Sequence, residues 1–366
     1  MNKFKNKNYY SLIYILSIFV LSISFIQFYS LRIRFKNEVR NPGFRSAISV
    51  KNDLNICLIN SEDIDCSKKI IKETKKDKTS ILFLGNSQTG AINNFRNGDK
   101  NYISILNQIY TDNLNEVSIK SFWLPNANLK EFELIMKAID SCESNIEVLF
   151  IPIFLDDMRN DSIRNELVDF SKKICSKKYK FTTIKSLNKE SSKKGNLNNL
   201  NEKIKLDLEI FNYLKSLNEN LRIDIYKFRN FVLNIKPSTI RPIKKTTYES
   251  NIKALKNIIE KRNIKKLISV IYIPPILNSN GEGKIPYDLV EYKSFKNNIR
   301  SLCENDKCYF LNIENVVPNK LWGLKDSTNL SGNFELDFFH FKGDGHIKLA
   351  YKFKEIINNL KLFSEH

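Results

Sequence analysis

Apolar residues along this chain recur in two alternating rhythms. Ile81–Leu84 is an unbroken apolar run, the pattern of a parallel strand buried on both faces. Val117–Trp123, with Val117, Ile119 and Phe122, predicts a second strand, and the nearly all-apolar Ile146–Phe154 a third. Leu267–Ile273, stopped by Pro274 and Pro275, predicts a fourth, and Cys308–Leu311 a short fifth. Between them the spacing becomes helical. Gln88–Phe95 and Tyr102–Tyr110 read as helices, as does Asn128–Asp140 with Leu129, Phe132, Met136 and Ile139 on one face. Ser250 caps a helix bearing Ile252, Leu255 and Ile259; Tyr292, Phe295, Ile299 and Leu302 mark another. A last helix, from about Gly345, carries Leu349, Phe353, Ile356 and Leu360. Repeated strand–helix units predict an α/β fold: a parallel sheet covered by helices on both faces.

Three stretches depart from this rhythm. Tyr9–Leu31 is a run of 23 residues without a charge, long enough to cross a bilayer as a helix, and Lys3, Lys5 and Lys7 precede it. Its bulky exit lacks a small-x-small cleavage motif, so residues 1–35 are predicted to be a cytoplasmic tail and an uncleaved transmembrane signal anchor. Arg32, Arg34, Lys36, Arg40 and Arg45 follow, so positive charge flanks both ends and does not by itself orient the segment. Residues 36–78 are polar and predict a stalk. Residues 161–249 hold 20 Lys+Arg against 10 Asp+Glu, a balance of +10. That region predicts a basic helical insertion, either a cap beside the sheet's carboxyl edge or a solvated excursion.

The whole chain carries 59 Lys+Arg and 40 Asp+Glu, a net charge of +19, which favours anionic partners. Nucleic acid fits the charge alone; there is no recognition motif, and an anchor opposes it, so no nucleic-acid partner is expected. Six cysteines are present, with Cys57/Cys66 and Cys303/Cys308 close in sequence. Either they form disulfides in an oxidising compartment or they are buried thiols; none has the spacing of a zinc or redox site. Only His340, His346 and His366 can supply an imidazole. No metal and no cofactor are expected, and the oligomeric state is left open.

The candidate chemistry lies at the two ends of the α/β region. Ser87 follows the first strand at a Gly85-Asn86 break, where an exposed hydroxyl meets helix N-terminal N–H groups. Asp337 and His340, three residues apart, precede the last helix. A carboxylate there can hold the imidazole's tautomer while its other nitrogen takes a serine proton. His346 is the rival base.

A Gly-Asn-Ser turn after the first strand, with Asp-x-x-His before the last helix, resembles the SGNH/GDSL hydrolase superfamily over roughly residues 79–360. The absence of Gly-x-Ser-x-Gly sets the chain apart from nucleophile-elbow hydrolases. The resemblance implies a three-layer α/β/α domain with a mostly parallel five-stranded sheet. It implies Ser87 as nucleophile, His340 as base and Asp337 as its orienter, with the N–H groups of Ser87 and Asn126 facing an oxyanion. In that pattern Asn126 stands for a glycine, in Leu124-Pro125-Asn126-Ala127. Asp156 and Asp157 stand where an asparagine is usual, and a carboxylate does not donate unless protonated. Asp156 and Arg159 near that edge are expected to bind substrate. The expected function is a membrane-anchored serine esterase or O-acyltransferase acting on an envelope glycan or related ester, its domain extracytoplasmic. The alternative is a non-catalytic binding or assembly protein for an anionic glycan or lipid.

Overall fold

The computed structural model describes residues 55–59, 64–74, 79–113, 117–142, 144–175, 225–236, 239–260, 267–277, 285–304, 308–330, 332 and 334–360, with 14, 18, 19, 22–24, 48 and 49 singly. The chain divides into two compact units. The larger comprises residues 43–180, 237–325 and 335–366; the smaller comprises 1–42, 181–236 and 326–334.

The strands of the larger unit are, in chain order, β1 (Ile48–Ser49), β2 (Ile56–Leu58), β3 (Thr79–Gly85), β4 (Ala91–Ile92), β5 (Val117–Trp123), β6 (Val148–Pro152), β7 (Ile268–Ile273), β8 (Cys308–Asn312), β9 (Trp322–Lys325) and β10 (Glu335–Phe341). Six of them form one sheet in the order β2-β5-β3-β6-β7-β8, every pair parallel. Two small antiparallel pairs, β1–β4 and β9–β10, stand apart from it.

The central strands β3, β6 and β7 are buried almost throughout, as their largely apolar sequences require in a sheet covered on both faces. Along β3, Leu82 and Leu84 enter one core with the helices Leu129–Asp140, Lys245–Glu260 and Leu289–Ser301. Ile81 and Phe83 enter the other, with the helices Tyr102–Asn113 and Gly343–Asn359. There Phe83 stacks on Phe150 at 4.5 Å and meets Phe353 edge-on at 5.0 Å. Such aromatic pairs contribute about 0.5–1.5 kcal/mol each beyond their burial.

The expected five-stranded sheet is corrected to six. The extra strand, β2, pairs with β5 at the edge, Cys57 lying opposite Phe122. It comes from residues expected to be a stalk, as does the helix Ile64–Thr74, which buries Ile70 and Ile71. Three residues at a sheet edge leave too little periodicity to stand out in a polar stretch. A second correction concerns Gln88–Phe95. Only the single turn Ser87–Gly90 is helical, and the chain then enters β4. Gly90 packs directly beneath the Trp123 ring, where any Cβ would collide, and Ala91 is already extended.

Three disulfides join Cys57 to Cys66, Cys142 to Cys175 and Cys303 to Cys308, with Cα separations of 5.9, 5.4 and 4.7 Å. These separations lie in the ordinary range for a bridge. Within the predicted insertion, Asn165–Lys173 and residues 225–232 are helical, and Lys245–Glu260 begins before its expected Ser250 cap. Residues 176–224 and most of Tyr9–Leu31 lie outside the described residues. Among the described residues no helix is long and apolar enough to cross a membrane.

Candidate active site

The site grows from the carboxyl end of β3. The chain leaves β3 for β5 on one side, and from β5 it crosses to β6 on the other. Open α/β sheets form their binding crevice where connections diverge in this way. Asn86, extended at φ −99°, caps the turn: its side chain accepts the Gln88 N–H at 3.1 Å. This presents Ser87 as the first residue of the helical turn, half-buried among buried neighbours. Gln88 anchors the turn from beneath, its Nε2 donating to the carbonyls of Pro275 and Phe339, both at 2.8 Å.

His340 arrives from the other end of the chain. It lies on β10 and not in a loop, so the β9–β10 pair delivers it to the crevice. Its Nε2 is 3.0 Å from Ser87 Oγ, and its Nδ1 is 2.8 Å from Asp337 Oδ2. Asp337 is nearly enclosed, its side chain 3% exposed against 20% for His340. Its Oδ1 accepts the backbone N–H groups of Phe339 at 3.0 Å and His340 at 3.1 Å. Burial works to raise this carboxyl, but the hydrogen bond and charge of His340, with the Phe339 N–H, hold it below the ordinary carboxylate range. An ionised Asp337 at Nδ1 leaves Nε2 to receive the serine proton.

Asn93, which the sequence reading passed over, completes this arrangement. Fully buried just after β4, it donates from Nδ2 to Asp337 Oδ2 at 3.1 Å and to Leu324 O at 3.1 Å. Its N–H donates to Phe341 O at 2.9 Å. An Asn-Asn pair after two apolar residues is ordinary turn chemistry, so no local signal marks Asn93.

His346, the rival base, is remote from this chemistry in character. It is wholly buried in the last helix, stacked on Tyr102 at 5.9 Å and tilted against Phe341 at 4.4 Å. Its Nδ1 accepts the Tyr102 N–H at 3.4 Å. Burial pushes it down to about 3. It is a neutral packing group.

On the β5 side, Leu124 N–H donates to Gly85 O at 2.9 Å, so the next loop leaves the sheet beside the serine turn. In that loop Asn126 adopts φ +51°, the left-handed conformation that glycine or asparagine tolerates. That is why asparagine can stand where the resemblance places a glycine. On the β6 side, Phe154 meets Phe339 edge-on at 5.5 Å, closing the wall next to His340. The 3-10 turn Leu155–Met158 follows.

Asp156 and Arg159, expected to bind substrate, are engaged with each other and with neighbouring residues. Asp156 Oδ1 lies 2.8 Å from Arg159 Nε and 3.3 Å from Arg241, and Oδ2 accepts the Tyr287 hydroxyl at 2.8 Å. Asp157 turns inward and accepts the Phe154 N–H at 2.9 Å. Burial, reinforced by the charge of Asp156, pushes it well above the ordinary carboxylate range. Arg164 is likewise structural, clamping Glu131 through two 2.7 Å contacts. Among the described residues no cluster could hold a metal ion.

The site is thus a serine–histidine–aspartate constellation on a parallel α/β sheet. No protein-family model matches the chain, and no curated protein sequence matches it. Among solved structures the chain is similar to an acetylxylan esterase from Geobacillus stearothermophilus, with TM-score 0.39 and 10% identity over 77% of this chain and 94% of that one. It is also similar to LAE5, an alpha/beta hydrolase from the metagenome of Lake Arreo, at TM-score 0.41 and 10% identity over 78% and 97%. A third is a carbohydrate acetylesterase family member from Sinorhizobium meliloti, at TM-score 0.38 and 9% identity over 77% and 98%.

Proposed function

We propose that this chain is a serine esterase or O-acyltransferase that acts through an acyl-serine on an ester of an envelope glycan. The observation that carries this reading is the unbroken line Ser87 Oγ–His340 Nε2 (3.0 Å) and His340 Nδ1–Asp337 Oδ2 (2.8 Å). Ser87 Oγ attacks the ester carbonyl carbon while His340 Nε2 takes its proton. The tetrahedral oxyanion is met by the N–H groups of Ser87 and Asn126. Collapse breaks the ester bond, and the departing alcohol takes the proton back from His340. Water, or a sugar hydroxyl in the transferase case, then attacks the acyl-serine with His340 again as base.

Three disulfides support an oxidising compartment. With the uncharged run Tyr9–Leu31, they favour a domain tethered to the outer side of a membrane. Replacing Ser87 by Ala is the direct test. Acetyl-ester turnover and fluorophosphonate labelling should both disappear while the fold persists; turnover that survives the substitution defeats the proposal.

A further inference from the structure

Phe154 is a large apolar side chain buried outside both cores. It is 6% exposed, yet among the described residues it joins neither the core that holds Leu84 nor the core that holds Phe83. Its level in the sheet explains this. Phe83 of β3 lies opposite Phe150 of β6. Four residues further along each chain segment stand Ser87 and Phe154, so both leave the same carboxyl edge from adjacent strands, which lie about 4.8 Å apart. Main-chain bonds fix the segment there. Ile153 N–H donates to Tyr272 O at 2.9 Å, and Phe154 N–H donates to Asp157 Oδ2 at 2.9 Å. The Phe154 ring meets Phe339 edge-on at 5.5 Å. Phe339 immediately precedes His340, and its carbonyl accepts Gln88 Nε2 at 2.8 Å from the residue that follows Ser87. The pair is thus tied to the serine turn from β10 and stands beside it on β6.

The stereochemistry of acyl transfer says what these rings face. The attacked carbon becomes tetrahedral, and one of its bonds goes to Ser87 Oγ. Its oxyanion turns to the loop after β5, where the Leu124 N–H bond to Gly85 O sets Asn126 beside the serine turn. Its departing oxygen turns to His340 Nε2, which returns the proton. His340 is carried by β10, whose Phe338 and Phe341 belong to the core that holds Phe83. β5 and β6 flank β3 on opposite sides. With the β5 side and the β10 side taken, the remaining bond points toward β6, and it is the bond to the acyl chain.

We infer that Phe154 and Phe339 close the acyl side of the site, so that it takes acetyl and similarly short acyl groups and rejects longer ones. This deepens the serine-esterase reading and rests on it. Both rings hang from hydrogen-bonded main chain, so a longer acyl chain overpacks the wall instead of sliding past it.

The test measures kcat/KM for the p-nitrophenyl esters of acetate, butyrate and octanoate. It uses the full chain and the variants F154A, F339A, F154L and F339L, with S87A as the background. The parent should prefer acetate to butyrate by at least about tenfold, and to octanoate by more. Either alanine opens the wall and should raise the butyrate-to-acetate ratio by about tenfold, even where acetate turnover itself falls. The leucine variants should raise it less, since they free less space, and they carry the test if melting shows an alanine variant to be unfolded. An unchanged ratio in the folded variants overturns the inference, and so does a parent that turns over octanoate as well as acetate. In both cases the triad stands if S87A is inactive. Turnover that S87A retains, or a parent that neither turns over acetate nor labels with fluorophosphonate, defeats the triad instead, and the inference falls with it.

Discussion

Asn93 donates from Nδ2 to Asp337 Oδ2 at 3.1 Å, across a sequence separation of 244 residues, and the same oxygen lies 2.8 Å from His340 Nδ1. The carboxylate that orients the imidazole is therefore itself oriented, by a buried amide tied to Leu324. The β1–β4 pair and the β9–β10 hairpin meet at this amide, which couples the two ends of the domain.

Replacing Asn93 by Ala should lower kcat by about tenfold to a hundredfold with little change in KM, because Asp337 loses a fixed donor while substrate contacts stay. Losing one such buried bond costs roughly 1–3 kcal/mol. Steady-state kinetics on a soluble acetyl ester check this; a rise in KM alone would assign Asn93 to substrate binding.

Replacing Asp337 by Asn should be more severe. The amide would offer an N–H to Nδ1, favour the wrong tautomer and leave the imidazolium without its counter-charge. A loss of about 10⁴-fold in kcat is the expected scale. The measurement is kcat at saturating ester, with melting temperature as the control for folding.

Gln88 holds the serine turn to the loop after β7 and to β10 itself through two 2.8 Å bonds. Gln88→Ala removes both donors and strands two carbonyls, so it should destabilise the domain by about 2–4 kcal/mol and also reduce turnover. Denaturant unfolding reads the first effect. An unchanged midpoint would mean that water replaces the amide.

His346 predicts an acid-side loss of stability independent of catalysis. Its folded value, near 3, lies below the ordinary histidine value of about 6.5. Between these two pH values the unfolded chain binds a proton that the folded chain refuses. Stability is therefore full above about pH 6.5 and falls as pH drops toward 3, by several kcal/mol in all, roughly 1.4 per pH unit. Asp337, held below the ordinary carboxylate range, adds stability above about pH 4 that is lost as pH falls through its lowered value. Thermal melts from pH 8 to 4 on the parent and on His346→Phe check the histidine contribution, because the variant should be flatter over that range.

Much of the framework can be read from short-range pattern. The runs that became β3, β6 and β7 are nearly continuous apolar stretches, and burial on both sheet faces is what demands such runs. Ser87, Asp337 and His340 are legible for a related reason: a strand-ending turn and a three-residue spacing are local geometries. β2 was missed because three edge residues leave no period to detect.

The sequence by itself determined the strand–helix alternation and the residue types able to carry acyl transfer, since both depend on neighbours a few positions apart. Tertiary structure alone decided that His340 and not His346 faces the serine, that Asn93 holds Asp337, and that Asp156 pairs with Arg159 and Arg241. Each of these is a contact between distant stretches of chain, and the sheet order sets which stretches meet.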